Sequence, residues 1–180
     1  MFAKAITTAI VMLVMSAPAW AAERDNLQIV QDVQRQVLRY TQFTIFDSIH
    51  AQVNDGVVTL TGKVTMPFKR DEVAKRVGRI DGVTDVRNEI TVLPVSMFDD
   101  ELRLRIARAI YGNTNFWGYG AMVNPPIHII VEHGRVTLEG VVNSNVDRML
   151  ARSIASSFDA FSVTNNLKTN AEVKAELERL

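Results

Sequence analysis

The feature that most constrains this chain is that it repeats itself. Ile49-His-Ala-Gln-Val-Asn-Asp-Gly-Val-Val-Thr-Leu-Thr-Gly-Lys-Val64 aligns without gaps on Ile127-His-Ile-Ile-Val-Glu-His-Gly-Arg-Val-Thr-Leu-Glu-Gly-Val-Val142. Gly56 falls on Gly134, Gly62 on Gly140, and Ile80-Asp81 on Phe158-Asp159. One residue is then lost, and Val86-Arg-Asn-Glu-Ile90 falls on Val163-Thr-Asn-Asn-Leu167. A repeat of this length is one structural unit used twice.

Each copy reads in the same order. In copy one, Asp25 is an N-cap, and Leu27, Val30, Val33 and Val37 follow at helical spacing. Ile49, Ala51 and Val53 alternate with His50 and Gln52, the pattern of a half-buried strand. Asn54-Asp55-Gly56 supplies a tight turn, and Val58, Leu60, Gly62 and Val64 alternate on the return strand. Pro67 opens a second helix whose core side is Phe68, Val73, Val77 and Ile80. Gly82 ends that helix as a left-handed cap, and Val86, Asn88, Ile90 and Val92 form a third strand. The expected unit is α-β-β-α-β, an α+β two-layer sandwich with a three-stranded sheet and both helices on one face. Copy two opens at Asp99-Asp100 and repeats the order, with Gly134 and Gly140 as its turn and strand glycines. The expected boundaries are 24–94 and 95–170, then a charged helical tail over 171–180. The short connector Leu93-Pro94-Val95-Ser96 implies that the modules dock.

The N-terminus reads as an export signal over residues 1–21. Lys4 precedes an apolar run from Ala5 to Met15, and Ala19-Trp20-Ala21 has the A-x-A form cleaved after Ala21. That run is short for a bilayer span, which needs about 20 apolar residues. The expected location is the periplasm. The chain has no cysteine, so it is neither lipid-anchored at a processed Cys nor disulfide-bonded. Loss of Lys4 with the leader leaves one acidic residue in excess, no electrostatic footprint for nucleic acid.

The constellations that carry catalysis are missing from the sequence. His50 and His128 occupy equivalent strand positions, read as solvent-facing, and neither has metal-ligand spacing to another residue. No Gly-x-Ser-x-Gly elbow, dinucleotide fingerprint or P-loop is present. Asp99-Asp100 are explained by capping. The expectation is a non-enzymatic protein with no cofactor and no metal.

The pattern Gly56-Val-Val-Thr-Leu-Thr-Gly62, a helix, Gly82-Val83 and Val86-Arg-Asn-Glu-Ile90 resembles the BON domain (bacterial OsmY and nodulation). Copy two matches through Gly134-Arg-Val-Thr-Leu-Glu-Gly140 and Val163-Thr-Asn-Asn-Leu167, and departs at Ala160-Phe161. A leader followed by tandem modules is similar to OsmY-like periplasmic proteins. The resemblance implies a module that binds phospholipid or supports envelope integrity, with a role in osmotic stress.

Two segments stand out as contact candidates. Phe116, Trp117, Tyr119 and Met122 crowd a glycine-rich stretch of copy two. They either pack back over the sheet or between the domains, or meet a membrane interface or a protein partner. Lys75, Arg76 and Arg79 lie with Lys69 and Arg70 on the second helix of copy one, either as a solvated face or as a site for phosphate head groups. A further reading is an adaptor or chaperone-like partner of an envelope protein, contacted through an open sheet edge or the aromatic stretch.

Overall fold

The computed structural model describes residues 25–177. The leader expected over 1–21 and the last three residues of the tail lie outside them. The two copies fold as two α+β units of the same design. The first contains α1 (Asn26–Leu38), β1 (Ser48–Asn54), β2 (Val57–Val64), α2 (Pro67–Val77), β3 (Asp85–Asn88) and β4 (Thr91–Val92). The second contains α3 (Met97–Tyr111), α4 (Trp117–Gly120), β5 (Ile127–Glu132), β6 (Arg135–Val142), α5 (Asn145–Ala155), β7 (Ser162–Asn165) and β8 (Lys168–Thr169). The tail forms α6 (Asn170–Leu177).

In each sheet the hairpin strands pair antiparallel, and the strand after the second helix returns parallel to the central strand. The hairpin turns Asp55-Gly56 and His133-Gly134 have positive φ at both residues (47° and 76°, 51° and 70°), the two-residue turn whose twist suits a hairpin. The third strand is split: Glu89-Ile90 interrupts it, yet register is kept, with Val57 facing Asp85 and Val64 facing Val92. In the second unit Arg135 faces Ser162 and Val142 faces Thr169, one residue closer in sequence. The residue lost between the copies therefore comes out of the helix-to-strand connection, and the sheet is unchanged.

The first core joins Ile29, Val33 and Val37 of α1 to Val58, Leu60 and Val64 of β2 and to Val73 and Val77 of α2. The second joins Leu102, Ile106 and Ile110 of α3 to Ile127, Ile129, Val131, Val136 and Leu138, with Ala151 and Ala155 of α5. Each of these buried Val, Leu and Ile side chains stabilises the fold by about 1.5–3 kcal/mol relative to exposure. Gly62 and Gly140 lie where the hairpin partner passes closest. A Cβ there would sit 2.1 Å from the Ser48 carbonyl oxygen or 1.8 Å from that of Pro126.

Several sequence expectations are corrected. The α1 core stripe runs through Ile29, with Leu27 and Val30 at its half-buried margin. Phe68 faces solvent, and Lys69 takes the inward position instead because it ion-pairs with a buried carboxylate. The cap of α2 is Gly78 in a right-handed conformation, and Gly82 (φ 86°) bends the chain four residues later. Ser96 caps α3 through the Asp99 N–H. Asp99 is buried, and its carboxylate accepts the N–H groups of His133 (2.8 Å) and Gly134 (2.7 Å), clamping the hairpin turn.

The α1–β1 connection of the first unit contacts the second. Ile45 and Phe46 pack against the second core, and the Ile129 N–H donates to the Ile45 carbonyl at 2.7 Å. Across the same seam Lys63 pairs with Glu132, and Ser48 and His50 pair with Glu139. His128 is not solvent-facing: it is half-buried in this seam, tilted against the Phe43 ring at 5.3 Å.

Candidate functional site

The aromatic stretch of the second unit is ordered by two anchors. After α3, the Asn113 side chain accepts the Asn115 N–H, and a 3-10 turn over Thr114–Phe116 leads into α4. Phe116 is fully buried and Tyr119 nearly so, their rings tilted 5.8 Å apart. The Tyr119 hydroxyl donates to Asp147 Oδ2 (2.9 Å) and accepts the Asn143 N–H (2.7 Å), which ties α4 to the start of α5. Burial, followed by the Asp147 carboxylate, raises the Tyr119 pKa and keeps the phenol protonated. Phe116 and Tyr119 are three apart and face inward. Trp117 points the other way and is 78% exposed, followed by exposed Met122 and Val123. A buried pair thus holds an unburied indole on a one-turn helix.

The stretch is therefore half core and half surface. Phe116 and Tyr119 are packed into the unit, while Trp117 and Met122 are exposed. Sequence reasoning missed two further exposed apolar residues of the same unit, Val146 and Met149 on α5. They stand one turn apart on that helix's outer face, a spacing legible in the sequence had the face been assigned.

The basic residues of α2 separate in the same way. Lys69 is buried and donates to Asp47 Oδ2 at 2.6 Å. Asp47 also accepts from Thr44 and Thr65 through backbone and side chain at 2.7–2.8 Å. Burial opposes its ionisation, but these bonds outweigh burial and hold the carboxyl below its usual range. Arg70 pairs with Asp71, and Arg76 pairs with Glu72 while covering the Tyr40 ring at 4.8 Å. Lys75 and Arg79 alone of the three candidates project freely into solvent. No hydrogen bond or ion pair among the described residues joins this helix to the aromatic stretch.

The seam between the units contains a Ser48, His50 and Glu139 cluster, and its geometry is unlike a catalytic triad. Ser48 Oγ and Glu139 Oε2 both approach the same ring nitrogen, His50 Nε2, at 3.3 and 2.8 Å. A triad needs the acid on one nitrogen and the hydroxyl on the other. Among the described residues no cluster of His, Asp and Glu has the makings of a metal site, and no helix is long and apolar enough to cross a membrane.

This architecture defines a class. The BON domain model matches residues 25–94 and again 99–171, so the chain belongs to the BON domain family, as a tandem member. No curated protein matches it. Among solved structures it is similar to two from the type III secretion system of Chlamydia trachomatis. The C-terminal domain of the structural protein CdsD shares 13% identity at a TM-score of 0.33, covering 80% of this chain and 66% of that one. A second structure of CdsD shares 13% identity at 0.30, covering 84% and 97%.

Proposed function

We propose that this protein is a non-enzymatic module of the bacterial periplasm that associates with phospholipid surfaces and supports envelope integrity, including under osmotic stress. The observation that carries this reading is Trp117, held largely exposed beside two buried aromatic neighbours. Trp is favoured at membrane interfaces, where its apolar body and N–H are both satisfied. Met122, Val123, Val146 and Met149 add exposed apolar surface on the same unit. Lys75 and Arg79 supply a modest electrostatic attraction, about 1 kcal/mol per cation near an anionic surface. Membership of a family resembling phospholipid-binding envelope proteins supports the reading.

Co-sedimentation with phosphatidylglycerol vesicles tests it. The chain is expected to pellet with vesicles. Trp117→Ala should lower binding about tenfold, and the pair Lys75→Glu and Arg79→Glu should remove its salt-sensitive part. Binding that survives all three substitutions would remove the proposal.

A further inference from the structure

The two sheets carry the same outer strand, but only one of the two edges is covered by groups from outside its hairpin. In a hairpin closed by a two-residue turn, alternate residues of each strand turn their N–H and C=O away from the partner. In β5 these are Ile127, Ile129 and Val131, and each has at least one backbone group bonded from outside the hairpin. Tyr111 Oη donates to the Ile127 carbonyl (2.6 Å) and accepts its N–H (3.0 Å). The Ile129 N–H donates to Ile45 (2.7 Å), and Arg103 Nη2 donates to the Val131 carbonyl (3.2 Å). The repeat places Ile49, Ala51 and Val53 at the equivalent positions of β1. Among the described residues no hydrogen bond from outside the hairpin reaches the backbone of any of the three.

That open edge borders a groove of about 540 Å³. Val30 and Leu38 of α1 and Phe43 form one wall, and Asn124, Pro125 and Pro126 of the second unit form the other. The groove is continuous with the seam between the units, where Ile45 already lies as backbone against the edge of β5. We propose that the β1 edge captures an extended polypeptide segment with apolar side chains at alternate positions, which adds to the first sheet as a further strand. Only a peptide backbone offers donors and acceptors at the spacing the edge presents, and its alternate side chains would meet the apolar wall of α1. An acyl chain would fill the groove but leave the Ile49 and Ala51 backbone groups dry and unpaired. The second unit already shows the chemistry, since its edge is covered by main chain and polar side chains from this same protein.

The test uses the full chain and a labelled eight-residue peptide of alternating Val and Thr flanked by Lys, with fluorescence polarisation as the readout. Ala51→Pro removes one outward-facing donor and no bond within the hairpin. The peptide should bind, Ala51→Pro should weaken it at least tenfold with the far-ultraviolet circular dichroism unchanged, and Trp117→Ala should leave it unaltered. That last arm separates the edge from the lipid surface. Hydrogen exchange on the unaltered chain stands in if Ala51→Pro misfolds. The amides of Ile49, Ala51 and Val53 should exchange fast in the free protein, slow on peptide addition, and differ from those of Ile127 and Ile129. Absence of peptide binding, binding indifferent to Ala51→Pro in a folded variant, or edge amides already protected without peptide would overturn the proposal. Protection that grows with protein concentration alone would make a second copy the occupant and overturn it too.

Discussion

His128 Nδ1 donates to the backbone carbonyl of Asp47 across the seam between the two units, at 2.7 Å. Its repeat partner His50 reaches the same seam from the other side, but meets the Glu139 carboxylate at 2.8 Å. One duplicated residue has become two opposite electrostatic devices.

The two histidines should therefore titrate on opposite sides of 6.5. Burial holds His128 below that value, and the hydrogen bond to Glu139, against some desolvation, holds His50 above it. The signs follow by linkage. The stability contributed by His128 is present above its unfolded pKa and is lost as pH falls through its lowered folded value. That of His50 is present below its unfolded pKa and is lost as pH rises through its raised folded value. Glu139, lowered by the same bond, contributes above its own unfolded pKa and loses that contribution only in acid. Imidazole resonances followed by NMR from pH 4 to 9 check this. Equal midpoints, or the reverse order, would contradict it.

Asp99→Ala should destabilise the second unit by about 3 kcal/mol, because it strips the acceptors from two turn N–H groups, one of them buried. Asp71→Ala, at an exposed pair with Arg70, should change stability by less than about 1 kcal/mol. Urea unfolding of the two variants gives the comparison. Equal midpoints would mean that the Asp99 clamp contributes nothing.

Lys69→Met should cost about 3–5 kcal/mol, since it leaves the fully buried Asp47 carboxylate without its cation. Adding Asp47→Asn to Lys69→Met should recover part of that loss. A double variant no more stable than the single one would show that the charge left behind is not the cause.

Gly140→Ala and Gly62→Ala should fail to fold or unfold at much lower temperature. The added Cβ meets backbone carbonyls that belong to a paired strand or its entry and have no room to retreat. Gly118→Ala in α4 meets nothing within 4 Å and should be neutral or slightly stabilising, by up to about 1 kcal/mol. Thermal melts of the three variants distinguish the positions.

The repeat, the hairpins and both cores were legible in the sequence because alternation, turn chemistry and the matched glycines are local signals. Phe68 misled because helical spacing alone does not know that Lys69 has a buried partner twenty-two residues upstream. The role of Asp99 was hidden for the same reason, its acceptors being used by a turn far along the chain. The aromatic stretch announced itself by composition. Which of its rings face inward depends on Asn143 and Asp147, at the repeat positions held in the first unit by Thr65 and Lys69. The open edge of β1 has no signature of its own. It emerges only because Tyr111, Arg103 and Ile45 cover the matching edge of β5.

Lipid association centres on Trp117, and cleavage after Ala21 would leave it the single tryptophan of the chain. Its fluorescence is to be followed in the chain beginning at Ala22, titrated with phosphatidylglycerol vesicles carrying brominated acyl chains. A blue-shifted and strongly quenched emission is expected at saturating lipid. Emission unchanged in position and intensity, with the protein shown to be folded, would contradict it.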